Sequence, residues 1–133
     1  MANRLITQLI TPEILNNTDF TGSGGRKDDS GKPARFDLIP PEALWALAEL
    51  YGKGALKYAP RNWEAGINYG RVYAALMRHL EAWRMGEAYD PDNGQHHLIS
   101  VIWNAVALYT YEQRGLGEKL DNLRSKETNC LKD

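Results

Sequence analysis

The chain has one cysteine, Cys130, set in a polar tail. No disulfide framework can form within it, which fits a reducing cytosol. It has almost no charge excess: 16 basic residues face 17 acidic ones, for a formal net charge of −1. Binding nucleic acid generally needs a basic excess or stripe, so this balance argues against such a partner. No apolar run is long enough to cross a bilayer. The stretch 5–10 is interrupted by Thr7 and Gln8 and carries no leader-cleavage pattern. Strand-like alternation and internal repeats are missing as well. The expectation is a soluble, cytoplasmic, all-α protein with no nucleic-acid and no membrane partner. Its 133 residues suffice for one domain and are too few for two. We expect a single domain over 1–133, with 1–25 and 115–133 peripheral.

Helical periodicity organises what is there. Pro12 and Glu13 suit a short helix start that Asn16-Asn17-Thr18 stops. Glycine and proline make 21–40 a loop. The first firm helix begins near Pro41, because proline suits a first turn. Its stripe of Ala43, Leu44, Leu47, Ala48, Tyr51, Ala55 and Tyr58 carries past Gly52 and Gly54 to Tyr58. Glu42, Glu49 and Lys53 share the other face, where Glu49 and Lys53 are spaced for an i,i+4 pair. A second helix spans about 69–85, with Val72, Ala75, Leu76, His79, Leu80 and Trp83 in one stripe and Gly86 as its stop. A third, about 94–113, is apolar almost all round and should be buried on several sides, partly against another subunit. Its one polar seam is His97, Ser100 and Asn104.

The chemistry concentrates in 78–97. Imidazoles and carboxylates meeting at one helical corner are the raw material of a divalent metal site. We take His79, Glu87, Asp90 and His97 as ligands. Each has an ordinary alternative: His79 as a hydrogen-bonded core residue, Glu87 and Asp90 as a solvated turn, His97 as a helix-terminal residue facing water. Asp92 or Asn93 reads as a cap. His96 and His97 point about 100° apart on a helix, so only one faces a shared site. His97 lies on the seam and is preferred. Lys27, Lys32, Arg35, Lys57 and Arg78, with Arg61, form a candidate phosphate grip, and backbone at Gly31 adds donors. Trp63 or Phe36 offers a face for a purine, with Asn62 and Glu64 to read its edge. Trp63 reads equally as the anchor of its loop to the core.

In order along the chain, Lys27-x-Asp29-x-Gly31-Lys32-Pro33-x-Arg35-x-Asp37-x-Ile39-Pro40-Pro41, Lys57-Tyr58, Asn62-Trp63-Glu64, Arg78-His79-x3-Trp83-x2-Gly86-Glu87-x2-Asp90 and Gly94-x2-His97-x6-Asn104 resemble the phage-encoded dATP/dGTP diphosphohydrolases. These are compact relatives of the MazG-like all-α nucleoside triphosphate pyrophosphohydrolases, and include the form associated with phages that replace adenine by 2-aminoadenine. The resemblance covers about 25–112. It implies a compact helical bundle, a homo-oligomer (dimer or tetramer), and cleavage of a purine deoxynucleoside triphosphate, dGTP or dATP, to monophosphate and pyrophosphate. One departure stands out. The Glu-Glu-x-x-Glu and Glu-x-x-Asp metal motifs of the wider group are absent, so the ligands above come from the residues alone.

The expected mechanism uses two or three Mg²⁺ or Mn²⁺ ions on the triphosphate. Glu87 and Asp90 are the catalytic carboxylates, and Glu87 or Glu49 orients the attacking water. Two other readings compete. One is a metal-dependent nucleotidase acting on deoxynucleoside monophosphates, supported by histidines in a helical bundle. The other is a non-catalytic nucleotide-binding module.

Overall fold

The computed structural model describes residues 24–124. The short helix start at Pro12 and the tail with Cys130 lie outside them. The chain forms two compact units, one ending at Ala46 and one beginning at Leu47. Among the described residues the regular structure is helical, apart from one antiparallel bridge between Tyr89 and His96. The expected all-α class holds. No described helix is long and apolar enough to cross a membrane.

In the first unit the Gly/Pro-rich loop is shaped by short-range polar bonds. Asp28 accepts from the backbone and hydroxyl of Ser30, and Lys32 N–H donates to Asp29 O at 2.9 Å. Arg35 then forks onto both oxygens of Asp37 at 2.8 and 2.7 Å. A single 3₁₀ turn, Phe36–Leu38, leads to helix α1, Pro41–Tyr58. The start at proline is as the sequence predicts, and the helix runs the full length of its stripe through both glycines. None of its residues is buried.

In the second unit α1 is followed by a 3₁₀ turn, Asn62–Ala65, and then by α2 (Tyr69–Arg84), α3 (His97–Gln113) and the short α4 (Gly117–Leu120). The core lies where α2 meets α3: Tyr69 and Val72 pack with Ala107, Tyr111 and Leu120. Tyr69 and Tyr111 stack with centroids 6.3 Å apart. Burying each large side chain contributes roughly 1.5–3 kcal/mol. The Tyr111 hydroxyl donates to Trp63 O at 2.5 Å and ties the 3₁₀ turn to α3. Gly66, at φ 108°, lets the chain turn beneath Leu120, where a Cβ would lie 3.1 Å from the Leu120 side chain.

The third helix corrects its sequence reading. Its buried residues are His97, Ser100, Asn104, Ala107 and Tyr111. The polar seam therefore faces inward, while apolar Ile102 and Tyr109 face out, Tyr109 at 65% exposure. Within one chain α3 is buried on one side only. On α2, Trp83 likewise emerges from its stripe at 45% exposure.

Candidate metal centre and cleft

The corner between α2 and α3 is built by local rules. Gly86 (φ 101°) ends α2 in a left-handed step. Gly86 N–H bonds Trp83 O, and Glu87 N–H bonds Ala82 O, the paired bonds of a Schellman cap. Glu87 is thus placed directly after the helix. The chain pairs with itself beyond it: His97 N–H donates to Ala88 O at 2.9 Å, Asp90 N–H to Gln95 O at 2.8 Å, and Gly94 N–H to Asp90 O at 2.7 Å. Asp90 Oδ1 accepts Asp92 N–H, and Asn93 Oδ1 accepts Gln95 N–H. The cap of α3 is neither Asp92 nor Asn93, as the sequence reading had it. It is His96, whose Nδ1 accepts from Leu98 N–H at 3.1 Å. With His96 used as a cap, His97 turns inward to 5% exposure.

There His97 meets His79. Their Nδ1 atoms lie 2.8 Å apart, and His97 Nε2 lies 2.7 Å from Glu87 Oε1. An ionised carboxylate only accepts, so His97 Nε2 carries a proton, and in the neutral imidazole its Nδ1 lone pair faces His79. Asp90 completes a group: one ligand atom each from His79, Asp90 and His97 falls within 4.8 Å of the others. Burial pushes the His79 pKa below its ordinary 6.5, helped by His97 and Arg78 and opposed by Asp90. Desolvation thus favours the neutral imidazole, the form that binds metal.

The donor set fits a divalent metal. Two imidazole nitrogens and one carboxylate suit Mn²⁺ or a neighbouring transition ion better than Mg²⁺, which prefers oxygen. Glu87, more than half exposed at its side chain, stands outside this three-residue group. It holds the far nitrogen of His97, the arrangement by which a carboxylate orients a ligating histidine.

His79 and Asp90 open onto a cleft of about 1430 Å³. Lys53, Lys57, Arg61, Arg71 and Arg78 line it, against two acids, Asp90 and Asp92. Tyr51, Trp63 and Trp103 supply aromatic wall, with Asn62, Ser100 and Asn104 among the polar groups. The three rings touch one another at centroid distances of 6.0 to 6.1 Å. Trp63 therefore both anchors its loop and lines the cleft. Ala59 (φ 130°) and Arg61 (φ 62°) also line it, in backbone that side chains rarely adopt.

The structure thus brings together His79, Asp90, Lys57, Arg78, Asn62 and Trp63 from the sequence reading. Glu64 is not among the lining residues and lies 3.7 Å from Arg114. Glu49, an exposed residue of α1, is not among them either. Phe36 is 79% exposed in its 3₁₀ turn. Lys27, Lys32 and Arg35 line a small recess of about 360 Å³ within the first unit, together with Asp29 and Asp37. Sequence reasoning missed Arg71 and Lys53. Arg71 repeats Arg78 seven residues earlier on α2, a signal that was readable. The partners of Lys53 are 40 and 42 residues away, and no local pattern shows them.

A family model described as "dATP/dGTP diphosphohydrolase, N-terminal" matches residues 22–122. The match spans most of the chain, and the chain belongs to that family. No curated protein and no solved structure matches it.

Proposed function

From membership of the dATP/dGTP diphosphohydrolase family, we propose that this chain hydrolyses a purine deoxynucleoside triphosphate, dGTP or dATP, to the monophosphate and pyrophosphate. The observation that carries the reading is one cleft onto which His79 and Asp90 of a His₂Asp group open, with a surplus of cations and an aromatic wall. A triphosphate needs all three: ligands for its metal, charge for its phosphates and a face for its base.

His79, Asp90 and His97 would hold a divalent ion, which when bound would supply charge neutralisation and an acidified water. The protein's own residues do the rest. Glu87 keeps the His97 proton on Nε2, so that the Nδ1 lone pair points inward. Arg78, Arg71, Arg61 and Lys57 hold the phosphate oxygens and take up charge on the departing pyrophosphate. Trp63 stacks the purine, and Asn62 meets its edge. Water forms the new bond to the α-phosphorus as the bond from that phosphorus to the bridging oxygen of the β-phosphate breaks; the bonding pair leaves with pyrophosphate, and the water's proton passes to solvent. This assignment keeps Asp90 as a ligand, moves Glu87 to orienting His97, and does not use Glu49. Of Mg²⁺ and Mn²⁺, the two imidazole donors favour Mn²⁺, and one centre is built from described residues. On the resemblance alone, the setting is phage nucleotide metabolism, and the working form is a homo-oligomer.

The His₂Asp group also favours a second reading, a metal-dependent nucleotidase acting on deoxynucleoside monophosphates. One assay separates the two. The purified chain is given each of the four dNTPs and dNMPs with Mn²⁺ or Mg²⁺, and products are resolved by chromatography. Pyrophosphate and monophosphate from dGTP or dATP, lost with EDTA, are expected. Inorganic phosphate from monophosphates alone would replace the proposal with the nucleotidase. Nucleotide binding without turnover under either metal would replace it with a binding module.

A further inference from the structure

The acidic corner carries Asp90, yet the bonds that shape it described so far are local, running between residues 88 and 97. A bond from elsewhere in the unit is what can fix where such a loop stands. Lys53 of α1 makes that bond. Its Nζ donates to Asn93 O at 2.9 Å and to Gln95 Oε1 at 3.0 Å. Gln95 is buried at 5% exposure, and its backbone carbonyl receives Asp90 N–H. The ammonium therefore grips the two residues that close the turn around Asp90. Charge-assisted bonds of this kind are about twice as strong as neutral ones.

We infer that Lys53 is a positioning residue, holding the corner so that Asp90 stands within ligand reach of His79 and His97. This rests on the metal reading of that group. The sign of the effect makes it testable. Lys53 lines the same cleft as Asp90 and carries a positive charge. If charge were all it contributed, removing it would relieve repulsion and tighten cation binding. If it positions Asp90, removing it loosens the corner and weakens cation binding.

The experiment titrates the full chain with Co²⁺, following its visible absorption and the heat of binding, in wild type, Lys53→Met and Lys53→Arg. Melting temperature and far-ultraviolet dichroism are recorded for each. The expected result is at least tenfold weaker Co²⁺ binding in Lys53→Met, an altered ligand-field spectrum, native helicity, and recovery to within about threefold in Lys53→Arg. Equal or tighter binding by Lys53→Met overturns the inference and leaves the metal centre standing. A wild-type chain that binds no Co²⁺ overturns both. Should Lys53→Met not fold, Lys53→Arg and Lys53→Gln are compared by amide exchange at Asp90 and Gly94. Faster exchange at both amides in Lys53→Gln alone supports the tether, and unchanged exchange in both variants overturns it.

Discussion

Individual residues in this chain take their roles from how their polar atoms are already spent. His96 and His97 are chemically identical neighbours, and sequence spacing alone allows one of them to face the site. His96 gives its Nδ1 to Leu98 N–H and becomes a cap, whereas His97 turns inward between His79 and Glu87. Glu87 read as a ligand in sequence because it follows the helix that carries His79. The Schellman cap aims it at the far side of His97. His79 itself carries a pH signature. Burial, His97 and Arg78 lower its folded pKa below 6.5. Between that lowered value and 6.5 the unfolded chain binds the proton and the native chain does not, so stability falls as pH drops through this window and is fully present above it. Thermal melts of the metal-free chain from pH 5 to 8 should show the melting temperature falling below about pH 6.5. In His79→Gln that slope should be shallower. An unchanged slope in the variant would assign the acid sensitivity to other groups.

At the scale of elements, legibility followed locality. The start of α1 at Pro41, the stop of α2 at Gly86 and the presence of α3 rest on caps and periodicity, and all were readable. The face that α3 buries was not. Hydropathy ranks Ile102 and Tyr109 above Ser100 and Asn104, yet the polar seam is the buried side. The reason is the cleft: that face closes it with Ser100 and Asn104 and presents His97 to the ligand group. Non-local bonds were equally hidden, including the one that seats the 3₁₀ turn, Tyr111 O–H to Trp63 O. Tyr111→Phe removes one of two donors to the part-buried Trp63 carbonyl, which still accepts Gly66 N–H, and should cost about 0.5–1.5 kcal/mol by chemical denaturation. Purine binding should weaken with it, because the turn carries Asn62 and Trp63. Full stability in the variant would show that ring packing alone seats the turn. Burial also pushes the Tyr51 and Tyr111 phenols above 10. Above pH 10 the unfolded chain loses these protons before the native chain does, so alkaline stability should fall with rising pH, and less steeply in Tyr111→Phe.

At the scale of the whole molecule, the second unit has a thin interior for the apolar content of its helices. Five hydrophobic residues are buried across the described chain, while Tyr73 and Trp83 on α2 and Ile102 and Tyr109 on α3 stay exposed. Ile102, Ala105 and Tyr109 follow one another at i, i+3 and i+7 and form one outward stripe along α3. A solvent-facing helix normally carries polar residues there. An apolar stripe on a chain with a small core fits burial against a second copy, the arrangement that the sequence resemblance implies and that closed symmetry makes economical. Tyr109→Glu places a charge at the C-terminal end of this stripe, on the more exposed of its two large side chains, without touching the ligand group or the cleft lining. Sedimentation velocity at tens of micromolar should then show the wild-type chain as a dimer or larger and the variant as a monomer. The melting temperature of the wild type should rise with protein concentration, and that of the variant should not. A wild-type chain that sediments as a monomer with a concentration-independent melting temperature would refute the association. The exposed stripe would then be a cost that the single chain carries alone.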